Sequence, residues 1–438
     1  GPVTGQALAS SLTLSLSEIE TALIALETEG AIMRGQFTDS QSEIEWCERG
    51  LLARINRYTV KKLRAEIEPV AARDYLRFLF EWQHAAPASR MDGPDALFAL
   101  ISQLEGFEAP AAAWETELFP ARLSEYEPAW LDDLCLSGKI TWRRLTAPKT
   151  NGNRERIAGP LRTTPIALIA RRNVRLWSVG ERAPANLSSR ARLVAEHLRS
   201  RGASFFDELL DATNLLQTQL EDALAELAAL GQVNCDSFAG LRALLVPSDR
   251  RASISGRRRR MGLSLHDAGR WAMLPSGTQS ADRETTEHAA NSLLKRYGVV
   301  FFRLLEREPS FLPPWRELLG VYRRWEARGE IRGGRFVAGV PGEQFALPEA
   351  IGLLREMRRK EHDGTLVSIS AADPLNVVGS VVPGPRVPAL TGNRVLYRDG
   401  IPIAVMAAGE VQFLEKLDPA SAWRTRNALI RRQAAPVS

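Results

Sequence analysis

Residues Arg323–Phe336 read RRWEARGEIRGGRF, and this stretch decides the fold. Its first half continues an amphipathic helix in which Tyr322 and Trp325 lie three residues apart on one face. Gly329 then supplies the left-handed residue that commonly follows the end of a helix. The apolar and polar alternation from Ile331 onwards is typical of a strand that enters a hairpin. The stretch therefore predicts a helix that is followed directly by a β-hairpin.

The same order of residues occurs in four places along the chain. Each copy has two large apolar residues three apart and a glycine four positions later, with further apolar residues two and seven positions after the glycine. The four copies are Leu23, Leu26, Gly30, Ile32 and Phe37; Leu131, Leu134, Gly138, Ile140 and Leu145; Leu224, Leu227, Gly231, Val233 and Phe238; and Tyr322, Trp325, Gly329, Ile331 and Phe336. A helix followed by a glycine cap and a hairpin is the last helix and the wing of a winged helix-turn-helix. The repeats therefore predict a tandem array of such domains.

The composition is that of a globular protein with several domains. The chain has 438 residues, which is too long for one core, and its 45% hydrophobic and 25% charged content is ordinary. No apolar run approaches the ~20 residues that cross a bilayer, so we predict no membrane segment. Cys47, Cys135 and Cys235 are isolated from one another, which favours a reducing compartment. No cysteine or histidine pair has the spacing of metal ligands, and we predict no metal.

The pattern of apolar and polar residues changes after residue 364, where alternation typical of strands, with Asp-Gly or Pro-Gly turns, replaces helical periodicity. The predicted fold class is mainly α with β, a tandem array of winged-helix domains followed by a small antiparallel β-barrel module. We place winged helices at 1–45, 91–148, 188–248 and 284–360, a basic helical connector at 46–90, a linker or helical segment at 149–187, a basic flexible segment at 249–283, the β-barrel module at 361–417, and a C-terminal basic helix at 418–438.

Clustered arginine makes nucleic acid the expected partner. The formal net charge is only +5, but the basic residues gather near helix ends and predicted wings, where they suit phosphate contact. Solvated surface faces remain the alternative for about half of the clusters. The connector can lie on nucleic acid or pack on the next domain, and Trp271 and Trp423 are candidates to stack bases. The predicted nucleic-acid-binding residues are Arg34, Arg143, Arg144, Arg257, Arg258, Arg259, Arg260, Arg328, Arg332 and Arg335.

Motifs for catalysis are sparse. The sequence has neither a phosphate-binding loop nor a Walker B acidic box, so we expect no ATPase in this chain. Excision of a DNA base would need a carboxylate beside a pocket for the extruded base. Asp373, Asp399 and Glu410 lie in the β-module and are weak candidates for that carboxylate. Each is explained more simply as turn or surface chemistry.

Six long blocks of the sequence resemble the C-terminal region of the Lhr (large helicase-related) family of superfamily 2 DNA helicases. The blocks are spread over nearly the whole chain and are EWCERGLLARINRYT (45–59), LEGFEAPAAAWE (104–115), PAWLDDLCLSG (128–138), RYGVVFFRLLERE (296–308), PWRELLGVYRRWEARGEIRGGRFVAGVPGEQFALPEA (314–350) and ADPLNVVGSVVPGPRVPALTGNRVLYRDG (372–400).

The resemblance implies a module of an ATP-dependent helicase that acts in DNA repair. Motor domains precede this region in the family, so ATP and Mg²⁺ are expected only there, and no cofactor is expected in this chain. The implied partners are DNA, single-stranded or with single-stranded tails, and the N-terminal helicase motor of the same polypeptide, with a homo-oligomer left open. The implied location is the bacterial cytoplasm, in association with the nucleoid.

Three functions therefore stand side by side. The first is a nucleic-acid-binding and assembly module of an Lhr-type helicase. The second is a DNA glycosylase that excises uracil or alkylated bases, because the family extension is similar in architecture to glycosylases of the AlkZ/YcaQ type. The third is a scaffold for protein interaction or oligomerisation.

Overall fold

Four units, each with a helix that is followed by a glycine turn and a strand, succeed one another in the computed structural model of the protein. The structure describes residues 1–38, 43–148, 158–177, 186–246, 265–266, 268–274 and 282–430. The glycine of each repeat adopts the expected left-handed conformation, with φ of 75°, 72°, 67° and 76° at Gly30, Gly138, Gly231 and Gly329. The prediction of winged-helix domains is confirmed.

The first unit is small. Ser15 and Glu18 form a capping box that starts its second helix. Its hydrophobic cluster consists, among the described residues, of Ala9, Ile19, Leu23 and Trp46. Three strands form its sheet in the order β1-β3-β2. Its elements are β1 (Val3–Thr4), α1 (Gly5–Leu12), α2 (Leu16–Thr28), β2 (Ile32–Gly35) and β3 (Glu45–Glu48).

Two helices connect the first unit to the rest of the chain. The first, α3 (Arg49–Ala65), has no buried residue. The second, α4 (Ala72–Trp82), is buried from Tyr75 to Phe80. Both lie in the predicted basic helical connector at 46–90, but only α3 is basic and exposed.

The second unit continues beyond the residues assigned to it from the sequence. Strand β6 pairs antiparallel with β5, so part of the predicted linker at 149–187 completes the sheet, whose order is β4-β6-β5. A π-helical turn, Trp114–Leu118, leads into α6. The other elements are α5 (Pro94–Gln103), β4 (Ala109–Pro110), α6 (Phe119–Arg122), α7 (Pro128–Leu136), β5 (Ile140–Arg143) and β6 (Pro165–Ala170).

The third unit also recruits a strand from farther along the chain. Strand β8 pairs with β7 and lies in the segment 249–283, for which a flexible basic stretch was predicted. The second and third units share one continuous hydrophobic core. The elements are α8 (Ser189–Arg201), α9 (Phe206–Thr213), α10 (Gln217–Ala229), β7 (Val233–Cys235), α11 (Phe238–Leu245) and β8 (Trp271–Met273).

The fourth unit shares its core with α4 and with the β-module. Its sheet order is β10-β11-β9, and α14 follows the sheet. Arg77 on α4 donates hydrogen bonds to the carbonyl oxygens of Met357 (3.1 Å) and Lys360 (3.0 Å) at the end of α14. The elements are α12 (Arg283–Tyr297), β9 (Val299–Val300), α13 (Trp315–Ala327), β10 (Arg332–Gly334), β11 (Gln344–Ala346) and α14 (Pro348–Arg359).

The β-module is an open sheet. Its strands follow the order β12-β13-β14-β15, and the described residues contain no pairing of β12 with β15 that would close a barrel. One face, including Val395 and Tyr397, joins the core of the fourth unit. The other face, including Leu396 and Ile403, packs against Leu429 of the last helix. Helices cover both faces instead of a closed barrel. The elements are β12 (Leu366–Ser370), β13 (Arg394–Arg398), β14 (Ile401–Ala407), β15 (Glu410–Phe413) and α15 (Pro419–Ile430).

A buried ion pair joins the second unit to the β-module. Arg122 has no exposed surface, and its Nη1 and Nη2 atoms lie 2.6 and 2.8 Å from the two carboxylate oxygens of Asp373. Nη2 also donates to Gln83 on α4, at 2.8 Å. The two large cores are therefore tied together at one buried point.

In the described part of the chain, no single helix is long and apolar enough to cross a membrane. The pair α1 and α2 reaches the required length and composition together, but the two helices are bent by 118°.

We expect Asp373→Asn to destabilise the protein by about 3–5 kcal/mol, because Arg122 would remain buried without a counter-charge. The double variant Arg122→Met with Asp373→Asn should recover most of this loss, since it removes the unpaired charge. Urea unfolding followed by circular dichroism measures both effects. Glu410→Gln, at an exposed site, is the matched control, and an Asp373→Asn midpoint equal to that of the control would contradict the prediction.

Candidate nucleic-acid interface

The fourth wing carries two exposed arginines that form no ion pair with the described residues. Helix α13 ends at Ala327, Gly329 turns the chain, and β10 begins at Arg332. The side chains of Arg332 and Arg335 are exposed. Within the residues that the structure describes, neither of them forms an ion pair. Two guanidinium groups are therefore free to meet an anion.

The neighbouring arginines are already paired with carboxylates. Arg328 Nε lies 2.6 Å from Glu330 Oε1, and Arg324 Nη2 lies 3.2 Å from Glu287 Oε1. These pairs are at the surface, where an ion pair contributes little free energy and can be exchanged for a phosphate. Arg328, a predicted contact, is therefore close to the interface but has a competing partner.

The connector covers one side of this wing. Arg64 at the end of α3 donates to Glu326 on α13 (2.6 Å) and to Glu343 beside β11 (3.1 Å). Farther on, the Val70 N–H donates to the Phe336 carbonyl, and the Ala338 N–H donates to the Val70 carbonyl, both at 2.8 Å. The wing therefore has a covered side, which faces the connector, and an open side.

The arginines predicted on the other wings are placed differently. Arg34 is 59% exposed on β2 and lies 3.2 Å from Glu27. Arg143 and Arg144 are 4% and 9% exposed, and Arg144 donates to the carbonyl oxygens of Thr146 and Ala229. Burial lowers the pKa of the Arg143 guanidinium. The prediction that Arg143 and Arg144 contact phosphate is wrong, because both side chains are buried and Arg144 is bonded to the third unit through the Ala229 carbonyl. Arg257, Arg258, Arg259 and Arg260 lie outside the described residues.

The two tryptophans that were predicted to stack bases differ in their exposure to solvent. Trp271 has no exposed surface and packs edge-on against Trp142, with ring centroids 6.5 Å apart. It belongs to the core and cannot stack a base from solution. Trp423 on α15 is 67% exposed. Only Trp423 therefore remains available for stacking.

The three candidate carboxylates lie in three different environments. Asp373 is buried against Arg122, as described above. Asp399 accepts hydrogen bonds from the Gly364 N–H at 3.1 and 3.2 Å, and it borders a cavity of about 40 Å³, which has room for water but not for a base. Glu410 is exposed on β15. It lines neither this cavity nor a larger one beside α12.

A larger cavity, which sequence reasoning missed, lies beside the fourth wing. Its volume is about 400 Å³, within the range of small-molecule sites. His288 on α12 lies on its wall, and burial together with the charge of Lys295 lowers the pKa of His288 to about 4. No local motif marks this histidine in the sequence. The polar and aromatic lining residues are Glu284, Glu287, His288, Asn291, Trp325 and Glu330.

This architecture and its open wing define a tandem winged-helix protein. Two sequence models described as "Large helicase-related protein, winged-helix domain" match the chain, the fourth such domain at residues 279–366 and the third at 70–163. The chain belongs to the large helicase-related (Lhr) family and corresponds to its C-terminal region.

Two curated relatives extend the similarity over nearly the whole chain. The "Lhr helicase/ probable uracil glycosylase" of Mycolicibacterium smegmatis is 29% identical over 442 residues, covering 95% of this chain and 28% of that protein. The "Lhr helicase/uracil glycosylase" of Escherichia coli is 29% identical over 432 residues, covering 88% of this chain and 26% of that protein. The chain therefore spans about a quarter of the length of these relatives.

We expect His288 to titrate near pH 4 in the folded protein, against about 6.5 in the unfolded chain. Between these values only the unfolded state takes up the proton, so the contribution of neutral His288 to the free energy of unfolding is complete above pH 6.5 and falls as the pH drops towards 4. Replacing His288 with Phe should remove this part of the acid sensitivity. NMR titration of the imidazole and acid unfolding of both proteins test this, and an imidazole pKa near 6.5 would contradict it.

Proposed function

We propose that this chain is the nucleic-acid-binding and assembly region of an Lhr-type ATP-dependent DNA helicase that acts in DNA repair. The observation that carries the proposal is the pair of exposed, unpaired arginines on the open side of the fourth wing, Arg332 and Arg335. Guanidinium groups on a wing suit the phosphate backbone, which is contacted without regard to base sequence.

In this proposal the motor lies elsewhere in the parent polypeptide and supplies ATP hydrolysis with Mg²⁺. The chain itself holds DNA that is single-stranded or has single-stranded tails, without a cofactor of its own. Such a role would place the protein at the nucleoid in the bacterial cytoplasm.

The first unit supports the assembly part of the proposal. Several large apolar side chains of this unit are exposed, although its own core is small. Clustered exposed apolar residues are typical of contact surfaces. The motor or a second copy of the chain is the proposed partner of this surface. The exposed residues are Leu12, Leu14, Leu16, Ile24, Leu26, Met33 and Ile44.

We predict that Arg332→Glu together with Arg335→Glu weakens binding to DNA of any sequence by roughly tenfold or more at 0.1 M salt, because two phosphate contacts become repulsive. The slope of log K against log salt concentration should also fall by about 1.5, close to the contribution of two phosphates. Fluorescence anisotropy with labelled oligonucleotides at several salt concentrations measures both quantities.

The matched control is Arg190→Glu with Arg199→Glu. These arginines are exposed on α8, so the control makes the same change of net charge on a different unit. Equal losses in the two double variants would attribute binding to net charge alone and would count against the fourth wing. Affinity of the wild-type protein that does not depend on salt would count against phosphate contact altogether.

DNA glycosylase activity is the second candidate. Both relatives carry a uracil glycosylase name, and the 400 Å³ cavity combines an aromatic wall with carboxylates. Glu284 and Glu330 are the exposed carboxylates on that cavity, and Glu330 is paired with Arg328. Glu284 therefore represents the cavity, whereas Glu410 is the exposed candidate in the β-module. Substitution of Glu284 therefore tests a base-excision site in the cavity, and substitution of Glu410 tests one in the β-module.

If the second candidate is right, uracil-containing DNA incubated with the protein and then with alkali should be cleaved at the uracil. Glu284→Gln should abolish cleavage if the cavity accepts the base, because an amide cannot act as a general base. Glu410→Gln should do so if the base enters at the β-module. Strands that stay intact across uracil and alkylated substrates would reject this candidate.

A further inference from the structure

Helix α3 is unusual for a helix within a folded protein. It spans Arg49–Ala65, and none of its residues is buried. It contains six basic residues and no acidic residue. Glu48 caps its start by accepting hydrogen bonds from the N–H groups of Gly50 (2.6 Å) and Leu51 (2.5 Å). Burial in a core therefore does not account for this helix.

The basic residues form a stripe with an aromatic residue among them. Arg54, Arg57, Tyr58 and Lys61 follow the spacing i, i+3, i+4 and i+7, which places them on one face of a helix. The rise of 1.5 Å per residue makes this stripe about 10 Å long. Tyr58 is 71% exposed. The exposed phenol ring of Tyr58 therefore has basic side chains on both sides of it along the helix.

The stripe is not neutralised by the protein. Among the described residues, Arg54 and Lys61 form no ion pair, and Arg57 Nε donates only to the Ala53 carbonyl of the same helix, at 3.3 Å. Arg64 is instead bound to Glu326 and Glu343, which fixes the end of α3 to the fourth wing. The helix is therefore anchored by one arginine while the stripe keeps its charge.

We propose that α3 binds single-stranded nucleic acid along this stripe. Arg54, Arg57 and Lys61 contact phosphates, and a base stacks on Tyr58. This inference rests on the proposed function, and it specifies the helix and the side chains that hold the single strand. Stacking on an exposed aromatic residue between phosphate contacts requires an unpaired base, because the faces of bases in a duplex are already occupied.

Other polyanions fit the stripe less well. A helix that lies on a membrane inserts a continuous apolar face into the headgroup region. The chain directly after α3 is instead held by the protein, because Ile67 packs against the core of the fourth unit and lies next to Gly334. The aromatic residue is among the cations and not opposite them, which favours nucleic acid.

Tyr58→Ala in the full 438-residue chain tests the proposal. We expect it to weaken binding of a 20-nucleotide single strand by about 5- to 100-fold, the usual range for loss of one stacked base, and to change duplex affinity by less than about twofold. Tyr58→Phe keeps the ring and should restore single-strand affinity, which a loss of charge or of fold would not allow. Fluorescence anisotropy gives the affinities.

The outcomes separate this inference from the proposed function. If the wild-type protein binds DNA but Tyr58→Ala leaves single-strand affinity unchanged, α3 is not the single-strand site and the fourth wing stands alone. If Tyr58→Ala weakens single-strand and duplex binding equally, stacking is rejected. If it weakens binding only to phosphatidylserine vesicles, the stripe is a membrane surface. If the wild-type protein binds no nucleic acid, the proposed function and this inference both fall.

Discussion

The buried guanidinium of Arg122 is the constraint on which the arrangement of units depends. A charge without exposed surface is tolerated only where close partners replace water. Its partners are Asp373 after β12, Gln83 after α4 and the Leu118 carbonyl before α6, at 2.6 to 3.2 Å. Three distant parts of the chain must therefore meet at this point. The Asp373 carboxylate is 1% exposed and is held by Arg122, so its role in this arrangement is structural.

The last helix of each unit and the turn after it were predictable because they depend on residues that are close together in the sequence. Helical spacing and a glycine cap determine where each last helix ends, and these features are confirmed at all four glycines. Strands β6 and β8 were not predicted as parts of their sheets, since each follows a long insertion and its pairing is set by tertiary register. The β-barrel module is not confirmed, because the described residues form an open sheet whose two faces are covered by other parts of the chain.

Exposure of the candidate site residues was less predictable than the fold. The sequence around an arginine in a wing does not indicate whether its side chain will be exposed to solvent or buried against a neighbouring unit. Arg143 and Arg144 are buried, whereas Arg332 and Arg335 are exposed, and this difference arises from packing between residues that are far apart in sequence. Trp271 follows the same rule, because its burial comes from the core that two units share.

The Gly333–Gly334 pair explains how the fourth wing can be both covered and open. A Cβ atom at Gly333 would lie 2.3 Å from Glu326 Oε1, and one at Gly334 would lie 2.3 Å from Cδ1 of Ile67, which follows α3. The two glycines let these side chains rest directly on the strand, and larger residues would displace them. The flanking positions, Arg332 and Arg335, remain exposed beside this contact. The glycines therefore bring the end of α3 to the wing, and the basic helix and the wing arginines come to share one neighbourhood without either being buried.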